Sequence, residues 1–260
     1  MNAVDLSFLA LCLGMALMLI PLLCLRVLRT GLLRPAIVAT ARMTVQLMLI
    51  GVYLKYLFEL DRAWVNVLWM AIMAIVASFS AVSRTPLRRS VLLLPVFVGF
   101  LSTALAVSLY FLGVVLQVED VFAARLLIPV SGVLFGNMLT VNIMAVNVFY
   151  GDLRREHQLY YYLLAHGATR FEAVLPFLRE AVVKAFSPCL ANMAVLGIVS
   201  FPGTMVGQIL GGASPQVAIR YQLMISVITV VASMLSLIVT IGLSVRSSFD
   251  QYGVLKQVFK

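Results

Sequence analysis

Apolar residues in this chain do not alternate with polar ones; they come in long charge-free runs, separated by short stretches where the charges collect. The runs are Leu6 to Leu25, Ala63 to Ser83, Ser90 to Val118, Leu126 to Gly151, Ala185 to Ile219 and Tyr221 to Val245. Another, Met43 to Leu54, reaches crossing length when extended from Ala36 to Phe58, with Arg42 and Lys55 near its ends, where long side chains snorkel toward water. A helix needs about 20 apolar residues to cross the hydrocarbon layer, so the pattern predicts an all-α integral membrane protein with seven transmembrane helices. No run shows the apolar-polar alternation of a membrane β-barrel. The run from Ala185 to Ile219 exceeds one crossing, but Pro188, Pro202, Pro215, Gly203, Gly207, Gly211 and Gly212 interrupt it too often for two helices. It reads as one helix and an irregular connector. Residues 1–260 then form one membrane domain, with a long polar loop at 152–184 and a tail at 246–260.

The long loop has helical periodicity of its own. Leu159, Tyr162, Leu163 and His166 share one side of a first helix, and Gly167 can end it in the left-handed conformation that a Cβ resists. Thr169 with Glu172 three residues on forms a capping box that opens a second helix. Phe171, Val174, Leu175 and Leu178 continue that helix, and Pro176 predicts a kink in it. The expectation is two short amphipathic helices joined by a Gly-Ala-Thr turn. Such an element either lies in the membrane interface or docks into the groove of a partner, and the pattern favours neither.

Composition agrees with lipid as the solvent: 63% of residues are hydrophobic, 11% are charged and the mean hydropathy is +1.07. The net charge of +9 calls for no nucleic-acid partner, because seven spans sort it by side. Loops one, three and five and the tail hold fifteen of the 19 Lys and Arg residues; Lys55, Arg62, Arg125 and Arg220 hold the opposite side. By the positive-inside rule the N-terminus is external and the tail cytoplasmic. No basic residue precedes the first span, while Arg26 and Arg29 follow it, the reverse of a cleavable signal. Cys12, Cys24 and Cys189 form no metal-type or disulfide-type spacing.

Candidate chemistry lies in polar groups placed inside apolar runs, which need partners or a wet cavity. Gln46, Asn137, Asn142, Asn147, Asn192 and Gln208 are such groups. The Pro202-Gly203 break frees backbone carbonyls, a feature tolerated at membrane depth where it lines a path, so residues 200–208 are the first choice for a transport route. Met193 and Met205 adjoin it and offer either soft thioether contacts or ordinary packing. No carboxylate lies within the charge-free spans; Glu59, Asp61, Glu119 and Asp120 gather beside them, where they could attract a cation or simply be solvated. Gly132 and Gly136 make a GxxxG pair that serves packing within one chain or between two. The sequence holds no GxxxxGK[ST], GxSxG or HExxH motif, so it predicts no enzyme. A seven-span receptor shares the topology, though the last span has no Lys for a retinal Schiff base, and both histidines sit outside the spans, unlike the usual proton-coupled carrier.

The segments ARMTVQLMLIGVYLKYLF (41–58), IPVSGVLFGNMLTVN (128–142), LLAHGATRFEAV (163–174) and SFPGTMVGQILGGASPQVAIRYQ (200–222) resemble the FetB (YbbM) family of ABC-transporter permeases, associated with iron export and related to a plant protein linked to aluminium tolerance. The resemblance implies a permease subunit in the inner membrane, paired with a second copy of itself and with two copies of a separate ATPase that carries ATP and Mg²⁺. It implies a coupling helix at residues 165–175, in which Ala165, Gly167, Ala168, Thr169, Arg170, Phe171 and Glu172 meet that ATPase.

Overall fold

The structure, a computed structural model, describes residues 7–250, 253–256 and 258–259. Leu6 at the head of the first run, and Lys260 of the tail, lie outside them. The described residues are helical almost throughout: α1 (Phe8–Ala16), α2 (Leu19–Val27), α3 (Leu33–Leu60), α4 (Ala63–Ser83), α5 (Arg89–Leu109), α6 (Ala124–Arg155), α7 (His157–Ala165), α8 (Arg170–Val195), α9 (Gly203–Leu210) and α10 (Pro215–Ser248). A π-helical turn, Tyr110–Val115, extends α5. Six stretches are long and apolar enough to cross a membrane: Leu9–Val27, Leu33–Leu60, Ala63–Ser83, Arg89–Val115, Ala124–Arg155 and Pro215–Ser248.

These match six of the seven expected spans, and the helices outrun the apolar runs at several ends because polar terminal turns also wind into helix. The remaining expected span, from Ala185, falls on α8. That helix starts within the polar loop and carries Arg179, Glu180 and Lys184 before its apolar half begins. Residues 185–195 rise only about 16 Å at 1.5 Å per residue, roughly half the hydrocarbon thickness. The loop's second helix is therefore not short. It runs for 26 residues, unbroken by Pro176 and Pro188. Ala173, Val174, Phe177, Ala181, Ala185 and Phe186 form one buried stripe that holds it against the body across Pro176 and up to the turn before Pro188.

The body is a bundle of α4, α5, α6, α8 and α10 around Met70, Phe100, Leu134, Met138, Phe149 and Leu237. Small residues set the α5–α10 spacing. A Cβ on Gly99 would lie 3.1 Å from the Ser236 carbonyl oxygen, besides striking the Thr240 hydroxyl. Overpacking at such a contact costs about 1–3 kcal/mol. Gly99→Ala is therefore expected to lower the thermal midpoint of the detergent-solubilised protein, and an unchanged midpoint would refute this close approach. Asn142 links α6 to α10 by donating from Nδ2 to Ser236 Oγ at 2.8 Å, as expected of an amide that packs helices. By contrast α1 and α2 stay outside the bundle, and α3 reaches it only near its end, where Leu57 meets Ala124 and Ile128 and Tyr53 lies on Trp69.

Loop bonds fix both ends of the bundle. Asp61 Oδ1 accepts from the Ala124 N–H at 2.7 Å and from Asn66 Nδ2 at 3.2 Å, and Asp120 Oδ1 accepts from the Phe122 N–H. These two carboxylates brace the loops at the α6 N-terminus. At the other end the chain after α10 folds back: Phe249 pairs with Leu255, and Leu87 with Phe259. Val258, fully buried, accepts there from the Arg88 N–H at 2.7 Å.

Candidate functional site

Two features stand out: a cavity among the helices that several polar side chains line, and the turn between α7 and α8. The cavity, of about 560 Å³, is walled by α6, α8, α9 and α10. Helical spacing collects its polar groups: Asn137 and Thr140 on α6, Cys189 and Asn192 on α8, and Gln222, Ser226 and Thr229 on α10. Several of these are bonded to their own helix. Asn137 Nδ2 donates to the Val133 carbonyl at 2.9 Å, Thr140 Oγ1 to Gly136 at 3.2 Å and Thr229 Oγ1 to Ser226 at 2.8 Å. The two hydroxyl donors are thereby spent, Asn137 keeps one amide N–H, and the oxygens remain as acceptors. No lining side chain is charged, and Met144 and Met193 add two thioethers. A second cavity of about 480 Å³ lies beside it, mostly apolar, with Arg125, Gln208 and Tyr221 among its walls and Phe111 and Leu112 of the π-helical turn. Among the described residues no three His, Cys, Asp or Glu side chains cluster as a metal site would require.

The turn is closed from both sides. Gly167 takes φ +87°, and the N–H groups of Gly167 and Ala168 return to the carbonyls of Leu164 and Leu163, each at 3.1 Å, the paired bonds of a Schellman ending. On the far side the capping box is present: the Thr169 N–H donates to Glu172 Oε2 at 2.7 Å, and the Glu172 N–H donates to Thr169 Oγ1 at 3.3 Å. The side-chain hydrogen bond from Thr169 holds the Glu172 carboxyl below the usual carboxylate range, and the backbone bond adds to it. Phe171 is 65% exposed beside this rigid turn. Arg170 turns the other way, donating from Nη2 to the Asp250 carbonyl at 2.8 Å with its guanidinium over the Phe249 ring. The returning tail is clasped again by Tyr160, whose hydroxyl donates to the Gly253 carbonyl at 2.8 Å.

One helix joins the two features. α8 begins at Arg170 beside the turn and carries Asn192 into the cavity wall, a span of about 33 Å along an unbroken α-helix. Lys184 ties its middle to α6, with Nζ 3.6 Å from Asp152 Oδ2 and 3.1 Å from Glu180 Oε1.

The family described as Uncharacterised protein family (UPF0014) matches residues 8–249. The chain belongs to the UPF0014 family. Relatives of this UPF0014 protein include "UPF0014 membrane protein YjkA" of Bacillus subtilis (strain 168), 28% identical over 96% of this chain and 99% of the relative. "Protein ALUMINUM SENSITIVE 3" of Arabidopsis thaliana is 32% identical over 86% of this chain and 81% of its own. "Probable iron export permease protein FetB" of Escherichia coli (strain K12) is 26% identical over 96% and 95%. No solved structure matches.

In this UPF0014 protein the sequence-derived route residues divide. Asn137, Asn192, Met193, Pro202 and Gly203 come together around the first cavity, and Gln208 lines the second. Gln46 sits on an exposed face of α3 and lines neither; Met205, buried, lines neither as well. Gly132 abuts Met73 of α4, whereas Gly136 has open space beside it. Thr140, Gln222, Ser226 and Thr229 were not singled out by sequence reasoning. Their signal was present: 222, 226 and 229, like 137 and 140, fall on one face of an otherwise apolar helix.

Proposed function

We propose that this chain is the membrane-spanning permease subunit of an ABC transporter, driven by a separate ATPase. The observation that carries the proposal is the continuity of α8 between the exposed turn and the cavity wall. A push on Phe171 and the residues around Gly167 moves a rigid lever whose far end bears Asn192. In this reading Ala165, Gly167, Ala168, Thr169, Arg170, Phe171 and Glu172 form the docking surface, Arg170 also anchoring the tail. ATP and Mg²⁺ belong to the partner, of which two copies serve two copies of this permease. The apolar half of α8 with α9 then supplies the seventh, broken crossing. The turn and tail face the cytoplasm and the N-terminus the exterior, as the distribution of basic residues favours, in the inner membrane.

For cargo, the name of the Escherichia coli relative points to iron export. A non-metal solute is the second reading, favoured by a cavity whose lining carries amides, hydroxyls and thioethers but no carboxylate. Co-expression with an ABC ATPase encoded nearby tests the core of the proposal: the two should co-purify, and ATP hydrolysis in lipid should rise with either iron(II) or an organic solute. An ATPase that neither binds the permease nor responds to any solute in its presence would overturn it.

A further inference from the structure

The two cavities have three wall residues in common: Val133 of α6, Thr204 of α9 and Ile225 of α10. A shared wall from three different helices is a boundary between neighbouring spaces. Two of its members are aliphatic; the third, Thr204, donates its hydroxyl to Gln222 Oε1 at 2.5 Å, and Gln222 Nε2 in turn donates to Ser226 Oγ at 3.1 Å. The chain Thr204–Gln222–Ser226 therefore holds α9 against α10 by side-chain hydrogen bonds, at the line where one cavity ends and the other begins.

We propose that the two cavities are successive chambers of one route and that the Thr204–Gln222 hydrogen bond is the latch between them. The inference rests on the reading of the first cavity as part of a transport route. The flanking helices suit a fixed frame, since α6 and α10 are bonded to each other through Asn142 and Ser236 in the buried core. α9 suits a moving part. It has eight residues, packs chiefly on α10, and is bounded by Pro202 on one side and by Gly211 and Gly212 on the other, Gly212 at φ +97°. Both chambers have mostly apolar walls but differ in their polar groups, uncharged amides and hydroxyls before the latch and Arg125 beyond it. A solute with hydrogen-bonding groups can take over the partners that Thr204 and Gln222 surrender, which lowers the cost of opening.

Cys189 lines the first chamber and provides a native reporter. In the full permease with Cys12→Ala and Cys24→Ala, Cys189 is labelled with a membrane-impermeant cationic methanethiosulfonate, applied to right-side-out or to inverted vesicles. Labelling is expected from one side only. Thr204→Val, which keeps the shape and loses the donor, and Gln222→Leu should each speed labelling from the opposite side roughly 2- to 10-fold, the equivalent of one neutral hydrogen bond. Thr204→Ser, which keeps the donor, should behave as the parent. Unchanged opposite-side labelling in both Thr204→Val and Gln222→Leu, with Cys189 still reactive from its own side, would overturn the latch and leave the chamber standing. A Cys189 that reacts from neither side in any variant would overturn the chamber, and the transport route with it.

Discussion

Under the proposed coupling to a separate ATPase, Gly167→Val is expected to insert and fold as the parent does but to transport far less solute for each ATP hydrolysed. The expectation follows from backbone geometry alone. Gly167 holds φ +87°, and open space surrounds the position a Cβ would take, so a new side chain meets no steric clash. The whole cost lies in forcing an L-residue into the left-handed region, roughly 1–2 kcal/mol and greater for a β-branched side chain. The cheapest relief is to rotate the turn. That loses the Gly167 and Ala168 bonds to Leu164 and Leu163, and moves Thr169 and Phe171 relative to α7. A strain of this size lowers the population of the docking geometry about tenfold. The rest of the fold is protected because α7 and α8 have separate anchors: Tyr160 is buried against Phe249, and Val174 and Phe177 are buried in the body. Gly167→Asn, which tolerates the left-handed region, should retain most of the coupling. Reconstitution with the ATPase, comparing hydrolysis with transport, decides the matter; a valine variant with parental transport per ATP would remove the turn from the mechanism.

That turn was legible from sequence because each of its parts is local. Gly at a helix end and a Thr-x-x-Glu pair both declare a backbone conformation within four residues, and the structure contains both. The long spans were legible for the same reason, since hydropathy sums over neighbours. Two things were not. The polar loop signalled a short second helix and Pro188 a break in the apolar run that follows, yet α8 is continuous through Pro176 and Pro188: each removes only one backbone donor, and the buried stripe from Ala173 to Phe186 packs on α6 regardless. Tertiary packing outweighed the local signal. The amides were the other difficulty: an Asn or Gln inside an apolar run is equally marked whether it faces a cavity, as Asn137 does, a neighbouring helix, as Asn142 does, or an exposed surface, as Gln46 does on α3. Which face points where depends on how distant helices assemble. Likewise the tail's hold on Tyr160 joins residues 93 apart in the chain, with no periodicity to announce it.

The distinction between Asn137 and Asn142 yields the sharper expectation for the cavity. Asn137→Leu together with Asn192→Leu should abolish most transport while leaving the protein as stable as the parent. Leucine fills a similar volume, and both asparagines are exposed on the cavity side rather than packed in the core. The change removes two carboxamides from the wall and leaves no buried partner stranded, because Asn137 Nδ2 spends its bond on the Val133 carbonyl of its own helix. Each hydrogen bond lost to a passing solute is worth about 0.5–1.5 kcal/mol, so the pair should raise the apparent KM for solute-stimulated ATP hydrolysis roughly 5- to 150-fold. Asn142→Leu is the control with the opposite signature. It removes the side-chain bond between α6 and α10, leaves Ser236 Oγ bonded only to the Ser233 carbonyl of its own helix, and forces a branched apolar side chain into a buried contact, so the thermal midpoint should fall with little change in KM. If the Asn137/Asn192 double variant kept its KM, or if it lost stability as Asn142→Leu does, these amides would be packing elements and the solute would pass elsewhere.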